Sequence, residues 1–120
     1  MNQEELKERT KRFVLRVIRF VESLHRGRTA DVIGRQLLRS GTSVGANYRA
    51  ACRAKSPADF ISKMGTVEEE TDESLFWMEM LIEARIVESG KLESLMKEAD
   101  EILAITVSSI KTIRKNRNQK

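Results

Sequence analysis

Eight arginines recur at helical spacing in the first half of this chain: Arg9, Arg12, Arg16 and Arg19, then Arg35, Arg39, Arg49 and Arg53. At 100° per residue each set falls on one flank of a helix, the second with Thr42 and Ala46 between its members. A guanidinium is planar, permanently charged and carries a fork of donors that fits phosphate oxygens. The chemistry on offer is therefore electrostatic capture of a polyanion such as structured RNA. Aromatic residues are scarce on these flanks, so base stacking has little to work with and contact with the phosphate backbone is the expected mode. The competing reading of each arginine is a solvated face, or pairing with acids elsewhere in the chain, where an exposed pair contributes little.

A second constellation lies in SLFWMEMLIEARIV, which is apolar nearly all round. Phe76 and Met80 fall opposite the expected core face, with Trp77 on its flank and Glu69, Glu73 and Glu83 nearby. An apolar centre with a charged rim is the anatomy of a subunit interface. Ser43, Ala46 and Asn47, from the small-residue run SGTSVGAN, join Glu69, Glu73, Phe76, Trp77 and Met80 as candidate oligomer contacts.

Other chemistry finds no support. A nucleophilic cysteine wants a neighbouring histidine, whereas Cys52 and His25 are each the sole residue of their type and belong to different segments. Cys52 reads as a small buried hydrophobe. One histidine cannot supply the paired Glu-x-x-His of a di-iron bundle, nor can one Cys and one His make a zinc site. The crowded acids Glu68, Glu69, Glu70, Asp72 and Glu73 read as a solvated helix face. SGTSVG has no lysine at P-loop spacing and follows no strand. The expectation is a non-enzymatic protein with no catalytic residue, metal or cofactor.

Four helical segments must position these residues. Periodicity places them at about 4–25, 29–54, 57–88 and 92–114, followed by a basic tail at 115–120. Gly27 reads as the stop of the first, Thr29 as the N-cap of the second, and Ser89-Gly90 as the end of the third. Ser56-Pro57-Ala58-Asp59 is the clearest boundary: an N-cap serine, a proline at the first helical position and an acid in the first turn. The core seams read Leu6, Thr10, Phe13, Val17, Phe20, Leu24; Ile33, Leu37, Gly41, Val44, Tyr48, Ala51; Phe60, Met64, Val67, Thr71, Ser74, Met78, Leu81, Arg85; and Leu95, Ala99, Ile102, Thr106, Ser109, Ile113. Short connections favour antiparallel neighbours, so the expected fold is all-α, an up-down-up-down four-helix bundle forming one domain over 1–120.

Gly41 could instead be the turn of a helix-turn-helix presenting Asn47 and Arg49 to DNA. A real turn would shift the apolar phase, and Leu37, Gly41, Val44 and Tyr48 keep theirs, so a continuous helix is expected. Charge is uneven along the chain: residues 1–28, 29–56, 57–90 and 91–120 sum to +4, +4, −7 and +3. The third segment is an acidic rod among basic ones. No apolar run approaches bilayer length and the N-terminus has no apolar signal core, so no membrane partner is expected and the cytoplasm is the default compartment.

The run RQLLRSGTSVGANYRAACRAKSPADFISKMGTVEEETDESLFWMEML resembles the bacterial four-helix-bundle family first noted as proteins encoded in intervening sequences of 23S rRNA genes. The likeness extends from Phe13 to Ile113. It is carried by Gln36-Leu37 with Arg39-Ser40, by Ser43, Ala46 and Asn47, by Asp59-Phe60-Ile61, and by Glu70, Asp72-Glu73, Phe76-Trp77, Glu79 and Leu81. Tyr48-Arg49-Ala50-Ala51 departs from the Ile-Ala-Glu-Gly-like run usual at that point. The resemblance implies a bundle that assembles into a ring, a homopentamer, without recognised enzymatic activity. The chain is also similar to the accessory variability proteins of diversity-generating retroelements, basic pentameric barrels that engage RNA and a reverse transcriptase. The partners implied are thus further copies of the chain, structured RNA, or a protein that handles nucleic acid; the alternative is an oligomeric scaffold that binds protein alone.

Overall fold

The computed structural model describes residues 1–118. Four helices, α1 (Gln3–Glu22), α2 (Arg28–Cys52), α3 (Pro57–Glu83) and α4 (Glu93–Asn118), follow one another through short connections, with a single 3-10 turn, Ser89–Lys91, leading into α4. Cross-helix contacts and short connections fix the directions: Gly41 faces Val17 while Gly45 faces Val14, Arg9 meets Glu98 while Arg16 meets Ser94, and only residues 53–56 join α2 to α3. Neighbours are thus antiparallel and the architecture is an up-down-up-down bundle, 53 × 21 × 20 Å in extent. Packing is most extensive between α2 and α3, and the α1–α4 seam is the thinnest of the four.

The core is a stack of side chains drawn from all four helices. Phe13, Val17, Leu37, Val44, Met64, Val67, Met78, Leu81, Leu92, Ala99 and Ile102 are wholly buried; all but Leu92, which stands just before α4, lie on the apolar stripes expected from their spacing, while Phe20, Leu24, Phe60, Ser109 and Ile113, expected on the same stripes at or near the ends of the helices, are only half-buried. At the centre of the α2–α3 contact two serines replace apolar residues. Ser74 donates its hydroxyl to Ser40 Oγ at 3.0 Å, with both residues fully buried. Two such small side chains let the helix backbones approach, and the hydrogen bond offsets the desolvation of their oxygens.

The ends of the helices differ from the periodic reading. Asn2 caps α1 through its side-chain oxygen, and Ser56 does the same for α3 by accepting from the Asp59 N–H at 3.1 Å. The first helix stops at Glu22 rather than His25, and Gly27, in extended backbone, stands at the N-cap of α2 instead of closing α1. Thr29 accordingly lies inside the first turn of α2, which ends at Cys52 rather than Ala54.

The third helix ends at Glu83, five residues before the expected 88. There Arg85 takes a left-handed φ of 61°. Its N–H bonds the Ile82 carbonyl and the Ile86 N–H bonds the Leu81 carbonyl, the pairing of a Schellman stop. Arg85 is therefore a cap, exposed beyond the helix, and not part of the core seam. At the other end of the chain, α4 continues helical through Asn118, so the basic segment 115–118 is helix rather than tail; Gln119 and Lys120 lie outside the described residues.

α2 is unbroken from Arg28 to Cys52, and Gly41 shows no positive φ. That removes the helix-turn-helix reading, which needs a turn at this position. What Gly41 provides is room. A Cβ built there would lie 2.7 Å from Val17 Cγ1, and one built at Gly45 would lie 2.7 Å from Val14 Cγ2. The two glycines, one turn apart, form a slot on α2 that receives two valines of α1.

Candidate nucleic-acid interface

The eight arginines do not form one surface. On α1, the flank carrying Arg9, Arg12, Arg16 and Arg19 is turned toward α4. Arg9 donates Nε to Glu98 Oε2 at 2.7 Å and Nη2 to Glu98 Oε1 at 2.8 Å, with a further bond to Glu101 at 2.7 Å. Its side chain is 17% exposed and that of Glu98 19%, so this is a partly buried, bidentate pair. Arg16 donates to Ser94 Oγ at 2.8 Å.

The Glu98 carboxyl is held below its ordinary range. The hydrogen bond from Arg9 is the main cause; burial opposes it, and the charges of Arg9, Arg16 and Arg12 add to it. Arg9 is in turn held more firmly protonated by its bond to Glu98. These arginines close the thinnest seam of the bundle. Arg12 and Arg19 remain exposed.

On α2, Arg39 reaches across to α3, donating to Glu70 Oε2 at 3.2 Å and to Glu73. Glu73 also accepts from the Trp77 indole N–H at 3.2 Å, and the Trp77 ring meets Phe76 edge-on with centroids 4.9 Å apart. Of the expected interface set, Glu73 and Trp77 are thus engaged within the chain and half-buried, while Phe76 is 47% exposed. Met80 is half-buried and Glu69 exposed. Ser43 and Asn47 bond carbonyls of their own helix, Arg39 and Ser43 respectively, and so reach no neighbour. Arg35 is exposed.

Arg49 and Arg53 do come together with other cations, though not with the arginines of α1. They line a groove of about 500 Å³ between α1 and α2, whose other wall carries Lys7 and Lys11. Gly45 and exposed Ala46 keep the α2 wall low, and Val14, Thr10 and Thr42 complete the lining, with Glu8 the one acid. Thr10 donates its hydroxyl to the Lys7 carbonyl and Thr42 donates to that of Leu38, so the free donors of the groove are its ammonium and guanidinium groups. Lys7 pairs with exposed Glu4 at 3.2 Å. Lys11, Arg49 and Arg53 make no ion pair among the described residues.

On each wall the cations are four residues apart, roughly 6 Å along a helix axis. That step is comparable with the separation of successive phosphates on a nucleic-acid strand. Reading arginines alone missed the lysine wall. The signal was present: Lys7, Lys11 and Val14 share the α1 flank that meets the Gly41–Gly45 slot.

Next to the groove's end, Tyr48 is buried and its phenol is pushed well above its ordinary value, chiefly by burial and then by the adjacent Cys52. It is a core residue that stays protonated. Cys52 is half-buried and His25 is exposed in the loop after α1.

Taken together these features define an all-α bundle with a cationic groove between its first two helices; no described helix is long and apolar enough to cross a membrane. Residues 3–108 match the family described as 23S rRNA-intervening sequence protein, and the chain belongs to that family. It is also similar to a crystal structure from Bacteroides thetaiotaomicron of a protein of the S23 ribosomal protein family, itself described as of unknown function. The two share 34% identity and superpose with a TM-score of 0.86, over 92% of this chain and 99% of the other. No curated protein matches the chain.

Proposed function

We propose that this chain is a self-associating, non-catalytic helical bundle that binds RNA or another polyanion along the α1–α2 groove. The observation that carries this reading is the convergence of Lys7, Lys11, Arg49 and Arg53 from two helices onto one low-walled channel, three of them without an ion-pair partner among the described residues. A cation left unpaired beside others of its sign is destabilised by repulsion, and a polyanion relieves that repulsion. Because the groove offers charge and no aromatic platform, recognition runs through phosphates and has little dependence on base sequence.

A filter-binding titration with structured RNA at several salt concentrations tests this. Retention at low salt that weakens steeply as salt rises is the expected result. Absence of retention at low salt removes the polyanion reading.

One observation favours a second reading, an interaction scaffold that binds protein and no nucleic acid. Arg39 is taken up by Glu70 and Glu73 of α3, which is how an arginine used for architecture behaves. On that reading Arg39→Glu disrupts assembly on a sizing column. On the favoured reading it costs some stability at the α2–α3 contact, and RNA retention persists.

A further inference from the structure

We infer that the α1–α2 groove tells ribose from deoxyribose, Thr42 accepting a hydrogen bond from a 2′-hydroxyl of a strand whose phosphates rest on the cations further along. This inference rests on the groove reading of the proposed function and adds the group that selects RNA. The register of the two walls comes first. Gly41 meets Val17 and Gly45 meets Val14. Continued toward the start of α1, that antiparallel register sets Arg49 close to level with Lys11, and Arg53 close to level with Lys7. The four cations therefore make two rungs about 6 Å apart, and the charge of the groove is confined to this end. Beyond the rungs the lining is neutral: Ala46, Gly45, Val14 and Thr42. Thr42 shares the face of α2 that carries Ala46 and Arg49, and stands seven residues, about 10 Å, from Arg49.

The hydrogen bonds of Thr42 decide what it can receive. Its hydroxyl donates to the Leu38 carbonyl at 2.7 Å, with the Arg39 carbonyl at 3.2 Å as a second acceptor. Oγ1 thus offers the groove lone pairs alone. A phosphate oxygen also only accepts, so a phosphate placed at Thr42 is repelled, and the group that suits this position is a donor. Along a nucleic-acid strand the donors are the base N–H groups, which change with sequence, and the 2′-hydroxyl, which every ribose carries next to its phosphate and deoxyribose lacks. Phosphates seated on the two rungs hold the sugar–phosphate backbone against the groove, and Gly45 and Ala46 leave room for the next sugar to reach Thr42. No aromatic side chain lines the groove to draw a base there instead. The other acceptors fit less well. Thr10 is 1% exposed, and the Glu8 carboxylate stands on α1 at the cationic end, where phosphates are held.

One single-stranded sequence prepared as RNA, as DNA and as 2′-O-methyl RNA tests this by filter binding to the unaltered chain, Thr42→Val and Thr42→Ser, with helicity checked by circular dichroism. The unaltered chain is expected to bind RNA about three- to tenfold more tightly than DNA or 2′-O-methyl RNA, the effect of one hydrogen bond. In Thr42→Val, which keeps the shape and removes the oxygen, RNA affinity is expected to fall to that of DNA, while DNA affinity and the salt slope stay as they were because no cation is lost. Thr42→Ser is expected to keep the preference. Equal binding of RNA and DNA by the unaltered chain overturns the ribose contact and leaves the groove in place. Binding of 2′-O-methyl RNA as tight as that of RNA overturns it too, and this arm holds whatever the substitutions do to folding. A preference that persists in a helical Thr42→Val likewise contradicts the assignment. Retention of none of the three at low salt removes the groove reading and this inference with it.

Discussion

The two flanks of α1 treat positive charge in opposite ways. Toward α4, where backbone packing is thin, Arg9 is clamped by Glu98 and Glu101 and Arg16 by Ser94, so the cations serve as the fastening. Toward α2, Val14 and Val17 mesh with a slot of two glycines, and that close apolar fit fastens the helices without help from charge. Lys7 and Lys11 are thereby left facing a groove with Arg49 and Arg53 opposite. Similar residues on one helix become structural on the side where packing is poor and available on the side where packing is good. A count of basic residues along the sequence does not separate the two.

The contrast can be broken from the apolar side first. Gly41→Leu places a branched side chain where even a Cβ lies 2.7 Å from the fully buried Val17, and the stiff valine cannot yield. A loss of about 3 kcal/mol or more is expected, read as a collapse of the cooperative thermal or urea transition. From the polar side, Arg9→Ala leaves Glu98 partly buried without its partner. The expected cost is about 2 kcal/mol by urea denaturation, with RNA retention unchanged.

Acid acts on the same seam. Because the folded state holds the Glu98 carboxyl below its ordinary value near 4.5, the stabilisation is fully present above that pH and is lost as pH falls through the lower folded value. The melting temperature is expected to drop on acidification below about pH 4.5, and less steeply in Glu98→Gln. A control distant from both flanks sharpens the comparison further. Arg85→Gly relieves a left-handed cap and is expected to stabilise by about 0.5 kcal/mol, with no effect on either seam.

Much of this fold is legible in the sequence because burial follows period. Met64, Val67, Thr71, Ser74, Met78 and Leu81 are all buried, as their spacing requires, and so are Ile33, Leu37, Gly41, Val44, Tyr48 and Ala51. Ser56-Pro57 marks the start of α3 because its cap chemistry is local. The end of α3 was hidden because the left-handed residue is an arginine, which carries no stop signal, while Gly90, which does, has no such role.

The site was half legible. Arg49 and Arg53 could be placed on the outer face of α2 from the helical wheel, but their neighbours depend on which helix packs alongside, and that is decided by Gly45 accepting Val14. In the same way nothing local to Arg9 reveals Glu98, 89 residues away.

The salt dependence of RNA binding tests the division between flanks most directly. Log affinity against log salt is compared for the unaltered chain, a groove variant with Lys11→Gln and Arg53→Gln, and a seam variant with Arg9→Gln. Removing two phosphate-binding cations from the groove should lower the slope by about 1.4 to 1.8, while the seam variant keeps the slope of the unaltered chain. A seam variant whose slope falls as the groove variant's does, or a groove variant whose slope is unchanged, would contradict the account.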